Sequence, residues 1–389
     1  MTQTSDPTET GTETGTAAAE PTDATNAPVV EADAPAEVSP TSGDERRAHA
    51  LRLLRNAGRM VLALLGAIVI FGAFMKIKGA DPISAYRDMW DSTVNGNDSL
   101  EQILVKATPL ILAALAVTVP ARAGLVNVGG EGQLVLGGIG AAAVVIWFGD
   151  SMPTGVQLLL MAVFAATAGA LWAGIAAGMR LLVHVNEAVT TLLLNYVALY
   201  LMLYLIYDPW KDLNGSGQPA TAPLAERSQL PLLGDSTLSA GIFVAIGATI
   251  VIWFLLTRTS WGFRLSVVGG NPEAARQAGL RVGLLLLSAM LVGGALAGLG
   301  GFTQLAGVEY KLRPNFLVTY GYIGFLASWL ARHHPVRVAL AATALAAIAV
   351  GGDSLQLDSA LPAASVNVLM ALVLLGVFGW GTRKKAVAA

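Results

Sequence analysis

The sequence predicts an all-α, polytopic membrane bundle of about ten transmembrane segments with both termini in the cytoplasm. Three observations carry that prediction. The chain is 54% hydrophobic and only 13% charged, whereas a soluble domain is about 25% charged. Its apolar residues come in long uninterrupted blocks rather than in the alternating pattern of half-buried elements. Its basic residues fall mostly on one side when those blocks are threaded back and forth through a bilayer.

In chain order, residues 1–45 come first. They hold ten of the 26 acidic residues and no Lys or Arg, which leaves 24 basic against 16 acidic residues in the remainder. This Thr/Ala/Pro/Glu-rich stretch has no aromatic residue, so it is expected to be a disordered acidic cytoplasmic tail. It lacks the basic and apolar regions of a signal peptide. A transmembrane domain is expected over 46–385. Its apolar segments run over 59–75, 103–121, 125–148, 155–180, 187–207, 238–257, 283–306, 318–331, 336–352 and 364–381. Helices are the expected form, because every backbone polar group in lipid must be satisfied within the segment. The eighth segment is short for a crossing. With all ten crossing, 16 basic residues lie on the side of the termini and seven on the other, with Lys106 inside a span. That side is therefore cytoplasmic.

Two connections stand out. Residues 208–237 form a long Gly-, Pro- and Ser-containing loop, expected outside. Residues 258–282, "RTSWGFRLSVVGGNPEAARQAGLRV", are amphipathic, basic and expected inside. Within them Asn271 is a suitable N-cap, Pro272 fits the first helical position, Glu273 the first turn, and Gly279 the stop. A helix this short is marginal in water alone, so a packing partner is expected.

Polar residues interrupt the apolar blocks. "GLVNVGGEGQLVLGG" (124–138) carries Asn127, Glu131 and Gln133 among six glycines. Glu131 is expected about two turns into the third segment, where a carboxylate is costly unless it faces protein or water. Two readings stand: a polar element of a transport pathway, or a buried network locking helices together. In "NEAVTTLLLNY" (186–196), Glu187, Thr190, Thr191 and Asn195 share one helical stripe, which suits a pore lining or a helix seam. Gln304 is a pathway candidate, and Asn367 an interhelical hydrogen-bonding residue. Gly294 and Gly298 in "GGALAG" have the spacing of close helix packing.

Enzyme signals fail. "GGDSL" (351–355) has no histidine downstream to serve as base. His333–His334 sits in a short turn with no acidic or cysteine neighbour to complete a metal site. The "GGEGQL" glycines do not make a dinucleotide fingerprint, and no phosphate-binding loop occurs anywhere. The chain has no cysteine, which removes disulfides and thiolate metal sites.

Three motifs then converge: "ARAGLVNVGGEGQLVLG" (121–137), "VNEAVTTLLLNYVALYL" (185–201) and "VVGGNPEAARQAGL" (267–280). In order and separation they resemble the permease subunits of ABC importers for nucleosides and related simple sugars, in the branched-chain amino acid/ribose permease superfamily. The resemblance covers about residues 60–382. The second motif and the run from Asn271 to Arg276 are similar to the nucleoside branch in particular. "GYIGFLASWLARHHP" (321–335) departs from the pattern, since Tyr322 and Ile323 stand where relatives show a Phe–Asp pair.

The resemblance implies an importer subunit, not an enzyme, that moves nucleosides inward by alternating access. Sugars or branched-chain amino acids are the alternative cargo. It implies a cytoplasmic ATP-binding partner that holds the ATP and magnesium, with no cofactor in this chain. It also implies a second permease subunit, identical or paralogous, an extracellular solute-binding protein and the plasma membrane, and no nucleic acid. Asn271, Pro272, Glu273, Ala274, Ala275 and Arg276 would form the coupling helix that docks on the ATPase. Asn127, Glu131, Gln133, Glu187, Asn195 and Gln304 are the pathway candidates. The rival reading from another class is a secondary transporter driven by H+ or Na+, with Glu131 or Glu187 as carrier.

Overall fold

The computed structural model describes residues 58, 61–62, 65–96, 98–149, 152–215, 217–358, 362 and 364–381. The acidic 1–45 stretch lies outside them. The described residues are helical apart from connections and one isolated β-bridge between Leu232 and Ser239. The helices are α1 (Leu65–Ile77), α2 (Pro82–Trp90), α3 (Ser99–Arg122), α4 (Gly130–Phe148), α5 (Thr154–Val183), α6 (Glu187–Tyr207) and α7 (Gly241–Arg258). They continue with α8 (Ser260–Gly270), α9 (Pro272–Gln277), α10 (Val282–Gln304), α11 (Tyr320–Leu330), α12 (Pro335–Asp358) and α13 (Ala364–Gly381). Seven described helices are long and apolar enough to cross a membrane: α3, α4, α5, α6, α7, α10 and α12.

Two expected segments differ from the sequence reading. The third was expected to be helical from residue 125, but α4 begins only at Gly130, and residues 125–128 carry no regular structure. Glu131 is thus the second residue of α4 rather than two turns along a helix. The eighth segment yields only the 11 residues of α11, about 16 Å of helix and so about half a bilayer. The chain reaches α11 by an irregular descent. Gly138 of α4 lies against Leu312 and Phe316, and Glu131, two turns nearer the start of α4, meets Thr319 and Gly321. Leu312, Phe316 and Leu317 anchor this stretch by burial, while Lys311, Arg313, Asn315 and Val318 are exposed.

Packing in the centre rests on small residues. Lipid tails are as apolar as leucine, so helices in a membrane gain little from apolar burial and associate by close backbone approach. A Cβ built on Gly294 would overlap the carbonyl oxygen of Gly169 on α5, and one on Gly298 that of Ala165. The spacing noted in "GGALAG" thus joins α10 to α5. The same Gly298 takes Gly137 of α4 on its other side. Around this crossing Leu110, Leu112 and Leu115 of α3, Leu134 of α4, Met161 of α5 and Met290 of α10 are fully buried. Asn367, expected in a helix seam, stands exposed on α13.

The connections gather at two ends. At one, the turn after α3 brings Gly124 against Gly269 at the end of α8, and Arg122 lies within electrostatic reach of His333. At the other, the 208–240 connection pairs with the chain after α10. The Thr221 amide donates to the Leu312 carbonyl at 3.1 Å, the Leu224 amide to Tyr310 at 2.7 Å and the Leu230 amide to Ala306 at 2.7 Å. The Thr237 amide and hydroxyl donate to Glu101 near the start of α3.

Candidate functional site

The site begins with a backbone that is not helical. Over residues 125–128 the chain runs without regular structure along the first turns of α6 and then enters α4 at Gly130, and α6 answers with side chains four residues apart. The Val126 amide donates to Glu187 Oε1 at 3.1 Å, the Val128 amide to Thr191 Oγ1 at 3.1 Å and the Gly132 amide to Asn195 Oδ1 at 2.8 Å. Asn195 Nδ2 donates back to the Val128 carbonyl at 3.0 Å. The register holds for a simple reason. From Val126 to Val128 two residues of extended chain advance about 6.6 Å, close to the about 6 Å of one i to i+4 step on a helix, and the next step, to Asn195, meets the Gly132 amide in the first turn of α4. Helix side chains therefore do the work of a neighbouring strand.

Asn127 and Gln133 close the bend from the other side. Both are buried, and their amides pair reciprocally. Asn127 Nδ2 donates to Gln133 Oε1 at 3.0 Å and Gln133 Nε2 to Asn127 Oδ1 at 2.9 Å. Asn127 Oδ1 also accepts from the Gly129 amide at 3.0 Å, and its Nδ2 reaches the Ala116 carbonyl of α3 at 3.3 Å. The Glu187 carboxylate, 6% exposed, forms an ion pair with Arg180 at the end of α5. The pairing offsets part of the cost of burying a carboxylate. Thr190 does not join the ladder, since its hydroxyl donates to the Asn186 carbonyl within its own turn.

Glu131 joins the two broken segments. Its Oε1 accepts from the Thr319 amide at 2.5 Å and its Oε2 from the Gly321 amide at 2.8 Å. A carboxylate in the first turn of α4 thus caps the N-terminus of the half-length α11, where free amides and the helix dipole favour negative charge. Contact is close enough that a Cβ on Gly321 would overlap the Glu131 backbone. Thr319 takes φ +74, a left-handed conformation costly for a β-branched residue and held here by that bond. From the far side Asn195 Nδ2 reaches the Tyr322 hydroxyl at 3.4 Å. Five of the six pathway candidates therefore meet at one junction. Gln304 stands apart, donating to Glu309 at 3.4 Å near the other end.

The second feature is the α8–α9 lobe. The Trp261 indole donates to Ser288 of α10 at 3.1 Å, which ties α8 to the bundle. Asn271 Oδ1 accepts from the Glu273 and Ala274 amides at 3.0 Å each, so the expected cap forms, with Pro272 at the first position. Gly279 takes φ +79 and ends the helix. Ala275 is buried, while the Glu273–Arg276 pair, at 3.0 Å, has side chains 65% and 62% exposed. The helix thus rests on one small side chain and turns its charges outward.

The pattern of the family described as "Branched-chain amino acid transport system / permease component" matches residues 99–378, which take in both features. The chain belongs to this permease family. Among its relatives, a glucose ABC transporter permease protein of Haloferax volcanii is 38% identical over 330 residues, covering 82% of this chain and 86% of that protein. A guanosine ABC transporter permease protein of Bacillus subtilis is 30% identical over 326 residues, covering 82% and 91%. A nucleoside ABC transporter permease protein of Lactococcus lactis subsp. cremoris is 30% identical over 337 residues, again covering 82% and 91%. The permease is accordingly a multi-pass protein of the plasma membrane.

Sequence reasoning missed several partners in this permease. Thr319 and Gly321 give no local signal for receiving Glu131 across 188 and 190 residues. Tyr322 was noticed as a departure but not as the partner of Asn195. Near the α3–α8 end, Thr118 and Ser328 share a hydrogen bond of 2.9 Å, and Ser328 meets His333 Nδ1 at 3.0 Å. Burial, and secondarily the Arg122 cation, lowers the His333 pKa from its ordinary value.

Proposed function

We propose that this permease is the membrane subunit of an ATP-driven importer, that its cargo is a nucleoside, and that it moves cargo inward by alternating access. What carries the reading is the α8–α9 lobe: a capped, charged, outward-turned helix on a chain with no phosphate-binding loop of its own. A transporter without an engine needs a handle. Asn271, Pro272, Glu273, Ala274, Ala275 and Arg276 are that handle, docking on a separate ATPase that binds ATP and magnesium. Coupling works through a difference in docking free energy between the inward- and outward-facing states. In this reading the α3–α8 end faces the cytoplasm, in line with its excess of arginine. The loops at 208–237 and 308–317 receive solute from an extracellular binding protein, and a second permease subunit completes the path.

The junction supplies the moving part. The full-length α4 and the half-length α11, which meet at Gly130 and Gly321, allow one bundle to rock against the other, as broken helices do in other transporters. Asn127, Glu131, Gln133, Glu187 and Asn195 hold the irregular backbone that lines the path, and Gln304 marks its outer mouth. A simple sugar is the second reading of the cargo, favoured by the 38% identity to a glucose permease. Nucleosides are preferred on two relatives of named nucleoside or guanosine transport.

The test is uptake by proteoliposomes holding the permease with and without its ATPase, against a panel of nucleosides, hexoses and branched-chain amino acids. ATP-dependent nucleoside uptake is the expected result. Uptake driven by a proton or sodium gradient without any ATPase would overturn the importer reading.

A further inference from the structure

Four of the chain's eight tyrosines lie on α6, and the junction uses none of the four. Tyr196, Tyr200, Tyr204 and Tyr207 follow one another at steps of four, four and three, so they share one side of the helix. All are exposed, from 57% to 67%, and no hydrogen bond among the described residues takes up their hydroxyls. Within the chain α6 packs mainly on α4 and α5, and neither covers this side. Tyr204 and Tyr207 stand near the end of α6, where an aromatic belt belongs. Tyr196 and Tyr200 do not. They lie about 14 Å and about 20 Å along a helix of about 31 Å, at the depth of the acyl chains. The exposed side of α7 is of the kind lipid accepts: Phe243, Ile246, Ile250, Val251 and Phe254, rings and aliphatics without a hydroxyl. A hydroxyl with no partner is costly in hydrocarbon.

A second observation falls on the same side. Residues 311–319 run beside the first turns of α4 without forming a helix, and Asn315 and Val318 among them are exposed. Irregular chain at membrane depth is tolerated only within protein or beside a water-filled cavity. Just past this stretch Tyr322 is 38% exposed, and its hydroxyl meets Asn195, the residue before Tyr196, at 3.4 Å. The tyrosine track and the irregular stretch therefore adjoin, and neither suits lipid. Protein suits them better than water. Leu193, Val197 and Leu201 are exposed among the tyrosines, and a mixed apolar and phenolic patch has the composition of a protein interface, where tyrosine is enriched. We propose that the second permease subunit covers this face, with the α6 tyrosine track at the centre of the contact. The hydroxyls then bond across the interface, and the irregular stretch is closed off from lipid. A second copy makes the contact isologous, the two tracks facing each other across a two-fold axis; a paralogue makes it pseudo-symmetric. This rests on the reading of an importer with two permease subunits and adds where they meet.

The experiment places the photoreactive residue p-benzoylphenylalanine, close to tyrosine in shape, at position 200 of the permease in the complete importer, with position 250 on α7 as the control. Membranes are irradiated and the adducts identified by mass. Position 200 should cross-link to a permease chain, copy or paralogue, and position 250 to no protein. Absence of a permease adduct from position 200 would overturn the proposal, and labelling of a Tyr200→Cys thiol by a membrane-impermeant maleimide would then show that the track lines water. As a second readout, Tyr196→Leu with Tyr200→Leu should lower copurification of the second permease about tenfold, the scale of one lost central aromatic contact. Phe243→Leu with Phe254→Leu should leave it unchanged. An active importer whose mass holds a single permease chain would contradict the two-subunit reading itself. Two chains with no adduct from position 200 would remove only the location.

Discussion

The junction and the α8–α9 lobe are both polar and both stand out in the sequence, yet they are built in opposite ways. At the junction Asn127, Gln133, Glu187 and Asn195 are buried, and each hydrogen-bonds to backbone or to another side chain. On the lobe, the Glu273 and Arg276 side chains pair with each other and are largely exposed. A buried, saturated polar group holds a shape, whereas an exposed charged helix resting on one alanine is left for something else to grip. The same residue types are thus buried and hydrogen-bonded in one place and exposed in the other.

The largest expected effects lie at the junction. Gly321→Val places a branched side chain into the Glu131 backbone and should abolish the folded permease, read as loss of the monodisperse peak in detergent. Glu131→Lys leaves a buried cation against helix N-termini and should cost about 3–5 kcal/mol, measured as a collapse of thermal stability. Glu131→Gln loses one acceptor facing the Thr319 and Gly321 amides and should cost about 1–3 kcal/mol. A Gln variant with normal stability but no transport would blur the comparison by giving Glu131 a direct role.

The lobe should respond the other way. Glu273→Ala with Arg276→Ala should leave thermal stability within about 0.5 kcal/mol while reducing ATP-driven uptake and ATPase copurification. Asn271→Ala should cost about 1 kcal/mol of local helix stability, seen as faster amide exchange over residues 273–277. The smallest effect concerns His333. Its folded pKa is depressed, so the native state binds fewer protons than the unfolded one. Stability should therefore decline as pH falls through about 6.5, and His333→Asn should flatten that decline in a melting series between pH 7.5 and 5.5.

What the sequence disclosed follows the range of the interactions. The Asn271 cap was legible because a cap spans two or three residues. The Glu187–Thr191–Asn195 stripe was legible because a helix repeats every four. Their use was not. The stripe supports an extended segment 61 to 63 residues away, and apolarity counts Leu125, Val126 and Val128 alike whether helical or extended. The overlong third segment and the overrated eighth share that cause. Hydropathy measures what lipid accepts, not where the backbone finds its partners. The Lys106–Asp353 bond between α3 and α12 and the Glu131 clasp span still greater separations.

The absence of native cysteine makes one measurement direct. A lone thiol introduced by Arg276→Cys, on the exposed face of α9, can be offered a short bifunctional reagent in the assembled complex. The account predicts a cross-link to the ATPase whose yield changes when ATP is bound. It also predicts none from Leu213→Cys, an exposed position on the connection at the other end. Cross-linking from position 213 and not from 276, or from neither in an active complex, would contradict it.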